Sequence, residues 1–334
     1  MRPTFSIIFF TVLSGAGYGL LFLTGLSFVR IDSLFSLVAT FVDVAELQLQ
    51  AAHIQLACEV ALVIGAALSA AGLVCSVGHL GKPLRAWRAF SQWKTSWLSR
   101  EGVLSVLTFA PVVALLLWML AGGDVRAPFV VAIGVVLACL CVATVFCTAR
   151  IYSSLQPIRA WHNAFVVPSY LLLALYTGAL WTAPIHFFHW TLSPLASSAG
   201  TLLTFNILVI APLCAIHKFA YWRWLDANRS VPTTGDATGL ARLGTVKTFE
   251  QPHTEENYLT HEMGFMLARK HARRLRAIAL LLILFGPMLG YALTPLIDYA
   301  ATWVGLLLGM LGVFVERWLF FAEARHAVIA YYGR

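Results

Sequence analysis

Charge is scarce in this chain: Asp, Glu, Lys and Arg make up 11% of its 334 residues, against 60% hydrophobic residues. Soluble domains carry about a quarter of their residues charged. An ordinary water-soluble fold is therefore excluded, and a polytopic membrane protein remains. Cysteine occurs six times, but never as Cys-x-x-Cys. Cys58, Cys75, Cys139, Cys141, Cys147 and Cys214 all fall inside or at the ends of apolar runs and read as small packing residues. An iron–sulfur cluster needs four thiolates with loop geometry to wrap it, so the chain is expected to hold none. Histidine is absent from the middle of every span, with His53, His79, His162 and His217 at span ends. A membrane b-haem usually takes two axial histidines facing each other from neighbouring helices, so no haem is expected either. A secondary transporter would show repeated halves and paired midplane charges. This chain has prolines inside spans (Pro111, Pro168, Pro212, Pro287) but neither of those features.

Apolar length, by contrast, is abundant. Runs of about 18 residues or more give eight expected spans: Phe5 to Val29, Ile54 to Val77, Val103 to Ala121, Phe129 to Ala149, Ala164 to Ala183, Thr201 to Phe219, Ala277 to Ile297 and Ala301 to Phe321. The expected fold is thus all-α, a bundle of eight transmembrane helices forming one domain over residues 1–334, with residues 218–276 as a cytoplasmic segment between the sixth and seventh. The first run is too long for a signal h-region and lacks a small-residue cleavage site, so it reads as a retained helix. Lys and Arg accumulate on the cytoplasmic side of membrane proteins. Here 21 of the 23 fall on the side shared by both termini, and only Arg30 and Arg126 on the other. Both termini are therefore expected in the cytoplasm, and the net charge of +8 belongs to a membrane face rather than to a nucleic-acid site. Of the outer links, Gly122 to Pro128 and Leu296 to Tyr299 barely allow a turn, whereas Asp32 to His53, with Asp43 and Glu46, suggests a short surface helix.

The polar gap from Gly78 to Gly102 holds Lys82, Arg85, Arg88, Lys94 and Arg100, the tryptophans Trp87, Trp93 and Trp97, and His79 and Glu101 near its ends. Its basic, aromatic middle can hold a headgroup or dock a partner protein. Quinone chemistry moves two electrons and two protons, so it needs a group titrating near neutral pH beside lipid. His79 with Glu101, and Lys82 and Arg85 nearby, meet that need. Capping of helix ends on dipole grounds explains His79 and Glu101 equally. In the first span, Gly15 and Gly19 have small-xxx-small spacing, which serves close helix packing. Tyr18 between them is a candidate quinone-lining phenol. Glu59 reads either as part of an outer proton route or as a carboxyl held by a neighbour such as His53. Glu316 and Arg317 read as the anchor of a helix end beside Trp318. From Thr254 to Arg276 acids come first (Glu255, Glu256) and bases last (Arg269, Lys270, Arg273, Arg274, Arg276), the order favoured by a helix dipole. That helix either touches anionic membrane lipid or docks a soluble subunit, with Glu262, Arg269 and Lys270 joining Trp87, Arg88, Trp93 and Lys94 in the docking face.

The run His79-Leu-Gly-Lys-Pro-Leu-Arg-Ala-Trp87, closing at Leu98-Ser-Arg-Glu101, resembles the signature loop of the membrane anchor subunits of dimethyl sulfoxide reductase-type complexes. The opening Thr4-Phe-Ser-Ile-Ile-Phe-Phe-Thr-Val-Leu-Ser-Gly-Ala-Gly-Tyr-Gly19 looks like the branch that accompanies cytoplasmic sulfite dehydrogenases. So do Pro252-His-Thr-Glu-Glu-Asn-Tyr-Leu259 with Glu262-Met-Gly-Phe265, and the ending Glu316-Arg-Trp-Leu-Phe-Phe-Ala-Glu-Ala-Arg-His326. The likeness covers essentially the whole chain. It implies an anchor in the bacterial inner membrane that binds a quinone, ubiquinone or menaquinone, without haem. It also implies two partners, an iron–sulfur subunit with four clusters and a molybdenum bis-pterin catalytic subunit, and matches His79 and Glu101 to the family's quinone-site positions. Sulfite oxidation is the preferred reaction of the complex, with S-oxide or N-oxide reduction as the alternative. The chain departs from the reductase pattern in its more basic, Trp-rich loop and its longer 218–276 segment.

Overall fold

The computed structural model describes residues 4–38, 44–78, 82–190, 205–228, 233–247, 249–250 and 267–327. Its long helices are α1 (Phe5–Val38), α2 (Val44–Val77), α3 (Trp97–Leu120), α4 (Pro128–Ser153), α5 (Val166–Trp190), α6 (Ala211–Ala227), α7 (Leu267–Ile297) and α8 (Ala300–Ala322). A π-helical turn, Asn206–Ile210, leads into α6, and a 3-10 helix, Pro83–Gln92, links α2 to α3. Seven of these helices, all but α6, are long and apolar enough to cross a membrane, so the all-helical membrane architecture holds. The expected sixth span, Thr201 to Phe219, begins outside the described residues.

Central to the bundle is α1, which packs on α2, α4, α5 and α8. Its glycines make this possible, because a side chain at Gly17 would run into Ser69 and Gly65 of α2, one at Gly19 into the backbone of Ala174 and Gly178 of α5, and one at Gly25 into Gly134 of α4. Helices in lipid gain little from hydrophobicity alone and associate through such close backbone approach. Gly15 behaves differently: nothing lies within 4 Å of the position its Cβ would take. The expected Gly15/Gly19 packing pair is therefore split, with Gly19 at a helix contact and Gly15 at a cavity.

The two tight links make antiparallel neighbours of α3 and α4, and of α7 and α8. Gly122 takes a left-handed φ of 78° just past the end of α3, the usual helix stop. Trp118 Nε1 then donates to Asp124 O at 3.1 Å. The side chain and backbone N–H of Arg126 hold the Asp124 carboxyl below its ordinary range.

Two expectations about the polar links change. Asp32 to His53 is not a separate surface helix: α1 continues to Val38 and α2 begins at Val44. Leu26 through Ile64 contains neither Gly nor Pro, so the local sequence has no strong breaker to end either helix early. The bases Arg269 to Arg276, in turn, are not a separate helix but the opening turns of α7, which runs unbroken to Ile297. Glu59 is held by a neighbour, accepting from Gln55 Nε2 at 3.0 Å, an amide that also reaches Met119 O at 3.1 Å; His53's side chain lies outside what is described.

The glycine assignments are separable by experiment. Gly19→Ala should lower stability in detergent by about 1–3 kcal/mol through overpacking against α5, read as a drop in the thermal unfolding midpoint. Gly15→Ala, which meets open space, should leave that midpoint unchanged.

Candidate functional site

Among the described residues, the buried charged side chains are Glu101, Lys218, Arg276, Glu316 and Arg317. All five lie at one end of the bundle, where α3 and α7 begin and α6 and α8 finish. Charges are costly in a low-dielectric interior unless paired and hydrogen-bonded, and the contacts show how each is held.

Glu316 is the hub. It accepts from Arg317 at 2.5 Å (Nε to Oε2) and 2.9 Å (Nη2 to Oε1), and Lys218 Nζ sits 2.5 Å from Oε1. Lys218 and Glu316 are each 1% exposed. Two cations thus share one carboxylate, and aromatic faces offset part of the surplus: the Arg317 guanidinium lies 4.4 Å from the Tyr170 ring and 4.7 Å from the Phe320 ring, and Lys218 Nζ 4.5 Å from the Tyr221 ring. Desolvated cation–π contacts contribute about 2 kcal/mol each. Those rings belong to a wider cluster, in which Tyr152 stacks on Tyr170 at 5.8 Å and Trp161 on Phe320 at 5.7 Å. Trp161 Nε1 also donates to Phe320 O at 3.0 Å, tying the α4–α5 link to the end of α8. A second ion cluster stands nearby. Arg276 donates to Asp226 at 2.9 Å and to both oxygens of Glu323 at 2.7 and 3.2 Å, joining α6, α7 and the residue that follows α8. Arg276 is therefore a structural tie, not one of the bases free to face lipid or a partner.

Glu101 stands one turn into α3 and is 4% exposed. Thr148 of α4 donates to its Oε1 at 3.2 Å; among the described residues nothing donates to its other oxygen. Thr148 also lines a small cavity with Ser14, Gly15 and Tyr18 of α1, Tyr170 of α5 and Arg317 of α8. The cavity offers about 20 Å³ to the centre of a water molecule, room for one or two waters. The hydroxyls of Tyr18 and Tyr170 are buried with no hydrogen bond of normal geometry among the described residues; Ser105 stands near the first and Arg317 near the second, and the cavity leaves room for water beside both. On the far side of the ion hub, Lys218 Nζ donates to Ser169 Oγ at 3.3 Å, and that hydroxyl lies 3.0 Å from Nε2 of half-buried His217.

Above Glu101 lies the 3-10 helix Pro83–Gln92, none of whose residues is buried. Three residues complete each turn of such a helix, so Leu84, Trp87 and Phe90 line up along one edge and Arg85 and Arg88 along the next. Leu84 is 93% and Trp87 65% exposed. Lys82, Trp93 and Lys94 are exposed as well.

Glu101 and Tyr18 thus come together around one polar interior, Glu101 through Thr148 and Tyr18 through the cavity. Lys82 and Arg85 stay on the surface with Trp87, Arg88, Trp93 and Lys94. His79 and Glu262 lie outside the described residues, as do the side chains of Arg269 and Lys270. Glu316 and Arg317 do more than anchor a helix end, since they form the centre of the buried ion network. Sequence reasoning missed Lys218, Thr148, Ser169 and Tyr170. Lys218 sits at the polar end of a span and counts as a loop charge, yet an adjacent Glu–Arg pair inside another span calls for a countercharge at matching depth. Among the described residues no group of three or more His, Cys, Asp or Glu could hold a metal ion.

The sequence profile described as DMSO reductase anchor subunit (DmsC) matches residues 1–322. The chain is also 30% identical to a sulfite dehydrogenase subunit from Allochromatium vinosum, over 99% of both chains. No solved structure matches it.

Removing the hub should be severe. Glu316→Ala leaves two buried cations without their carboxylate, a loss of about 3–5 kcal/mol, and should sharply reduce the folded protein recovered from membranes. Glu59→Gln, at a half-buried carboxyl held by one amide, should leave that yield unchanged.

Proposed function

Because the chain belongs to the DMSO reductase anchor subunit family, we propose that it is the membrane anchor and quinone-reacting subunit of a three-subunit molybdenum/iron–sulfur oxidoreductase. The 30% identity to a subunit of a sulfite dehydrogenase favours sulfite oxidation to sulfate as the reaction of the complex, with electrons flowing to quinone. In this reading the chain spans the bacterial inner membrane eight times. Its Lys/Arg-rich end and both termini face the cytoplasm, where an iron–sulfur subunit with four clusters docks and links it to a molybdenum bis-pterin catalytic subunit. The family's DMSO reductase name supports a second reading, the same site oxidising quinol so that electrons run the other way.

The observation that carries the proposal is the placement of Glu101. A carboxyl held on one oxygen by Thr148 sits one turn beneath an exposed helix of basic and aromatic residues, so a proton-handling group and a docking face occupy the same end. Quinone, ubiquinone or menaquinone, supplies the two-electron, two-proton chemistry when bound. Glu101's second oxygen suits a headgroup hydroxyl, and His79, at the start of the loop, is the second proton-handling group. Lys82 and Arg85 supply positive charge at the mouth. The cavity beside Tyr18 has room for water but not for a ring, so in this reading Tyr18 serves the site through water. Trp87, Arg88, Trp93 and Lys94, with Glu262, Arg269 and Lys270, form the docking face, and aromatic and Arg side chains are those that dominate interfaces.

Purification from the native membrane should bring down a molybdenum enzyme and a ferredoxin-like iron–sulfur protein, identified by mass spectrometry; their absence would refute the anchor reading. Within that complex His79→Ala should abolish quinone-coupled turnover while dye-coupled activity of the soluble subunits persists. Unchanged quinone kinetics would remove His79 from the site.

A further inference from the structure

The ion hub is buried more deeply than anchoring requires, and its contacts form a line with two ends. One end is His217, half-buried, whose Nε2 lies 3.0 Å from both Phe165 O and Ser169 Oγ. Ser169 Oγ accepts from Lys218 Nζ at 3.3 Å, Lys218 Nζ meets Glu316 Oε1 at 2.5 Å, and Glu316 is gripped by Arg317, which lines the cavity. Across that cavity stand the hydroxyls of Tyr18 and Tyr170 and Thr148, which donates to Glu101. The polar chain runs from half-buried His217 to the carboxyl assigned to quinone, broken only between Glu316 and Thr148, where Arg317 and the cavity with its room for water intervene.

We propose that His217, Ser169, Lys218 and Glu316, with water in the Tyr18–Tyr170 cavity, form an internal proton-uptake line that supplies Glu101. This rests on the quinone reading and deepens it: the protons taken up at the site come through the protein from the cytoplasmic end. The transfers balance. From the ion-paired state, the Lys218 ammonium gives a proton to Glu316, and Glu316 releases it past Arg317 to cavity water, which passes it by way of the Thr148 hydroxyl to the Glu101 carboxylate. The neutral Lys218 amine then takes the Ser169 hydroxyl proton as Ser169 takes one from an imidazolium at His217. One proton leaves solvent, one arrives at Glu101, and every intermediate group returns to its starting state. Lys218 suits the task because two cations share one carboxylate, so giving up its proton leaves the hub balanced, and buried lysines take up and release protons readily. Arg317 stays charged throughout; it lines the cavity and holds Glu316 behind it.

Glu316 variants threaten folding, so the decisive substitution is Ser169→Ala, which removes one hydroxyl and little volume. In the purified complex it should slow quinone-coupled turnover at least about ten-fold and raise the solvent deuterium isotope effect, while dye-coupled activity and subunit assembly stay at wild-type level. Ser169→Thr, which keeps the hydroxyl, should restore the rate. A readout without quinone is the infrared carboxyl band assigned to Glu316 by its loss in Glu316→Gln, whose shift after mixing with heavy water should be delayed in Ser169→Ala. An unchanged rate and unchanged exchange in Ser169→Ala would overturn the line, as would a defect that Ser169→Thr fails to repair. A wild-type complex that does not react with quinone at all would instead defeat the anchor reading, so the two failures are told apart.

Discussion

Two buried cations sharing one buried carboxylate set the terms for this end of the molecule. A hydrophobic trio of similar volume would often stabilise a fold as well as an ion group or better, so stability alone does not account for Lys218, Glu316 and Arg317. Once they are present, however, the surroundings must hold them. Tyr170, Phe320 and Tyr221 present ring faces to the cations, Ser169 accepts from Lys218, and three helices converge because their side chains have nowhere else to discharge. The second cluster, Arg276 with Asp226 and Glu323, ties α6 and the end of α8 again nearer the surface and adds α7. The opposite end contains no buried charge among the described residues, and its links between α3 and α4 and between α7 and α8 are short turns, so the buried charges gather at one end.

Along α1 the same asymmetry appears in small residues. Gly19 and Gly25 are contact points at which neighbouring backbones leave no space for a methyl group. Gly15, nearer the charged end, opens onto the cavity instead. One helix therefore both clamps the bundle and leaves a void in it, and the void falls where Thr148, Tyr18, Tyr170 and Arg317 can share water.

Much of this was legible in the sequence, and what was not has a common cause. Spans follow from apolar length: seven helices long and apolar enough to cross a membrane are present, and the first two contain the expected Phe5 to Val29 and Ile54 to Val77 but run beyond them, to Val38 and from Val44. Charge asymmetry locates the end where the buried ions lie, and Glu101 stands out as a carboxyl at the head of a span. The misreadings concern the third dimension. Gly15 and Gly19 are equivalent by spacing, yet they point at different neighbours. Arg276 looks like its basic neighbours Arg273 and Arg274, yet it alone is buried. Lys218 looks like the first charge of a loop because α6 becomes polar there, while the helix runs nine residues further, to Ala227. Each depends on which face of a helix meets which partner, which one sequence does not record for helices that are apolar on every side.

The exposed 3-10 helix and the buried carboxyl are not independent parts. Ser99, in the first turn of α3, hydrogen-bonds through its hydroxyl to Ala89 O of the 3-10 helix, and Arg100 donates to Trp93 O at 3.0 Å and Lys94 O at 2.5 Å. Arg100 also lies 4.4 Å from the Trp97 ring, with Arg150 at 5.1 Å from the same ring, so the turn is clasped from α4 as well. Glu101 is the next residue. A partner bound to the exposed face of the 3-10 helix therefore bears directly on the backbone that positions Glu101, and any shift of that helix must be taken up at the Thr148 hydrogen bond or resisted by the Trp97 clasp. With two cations clasping Trp97, the geometry favours resistance. A partner docked as proposed would then leave Glu101 where it stands, and the carboxyl would keep a fixed distance from whatever electron carrier that partner brings to the surface.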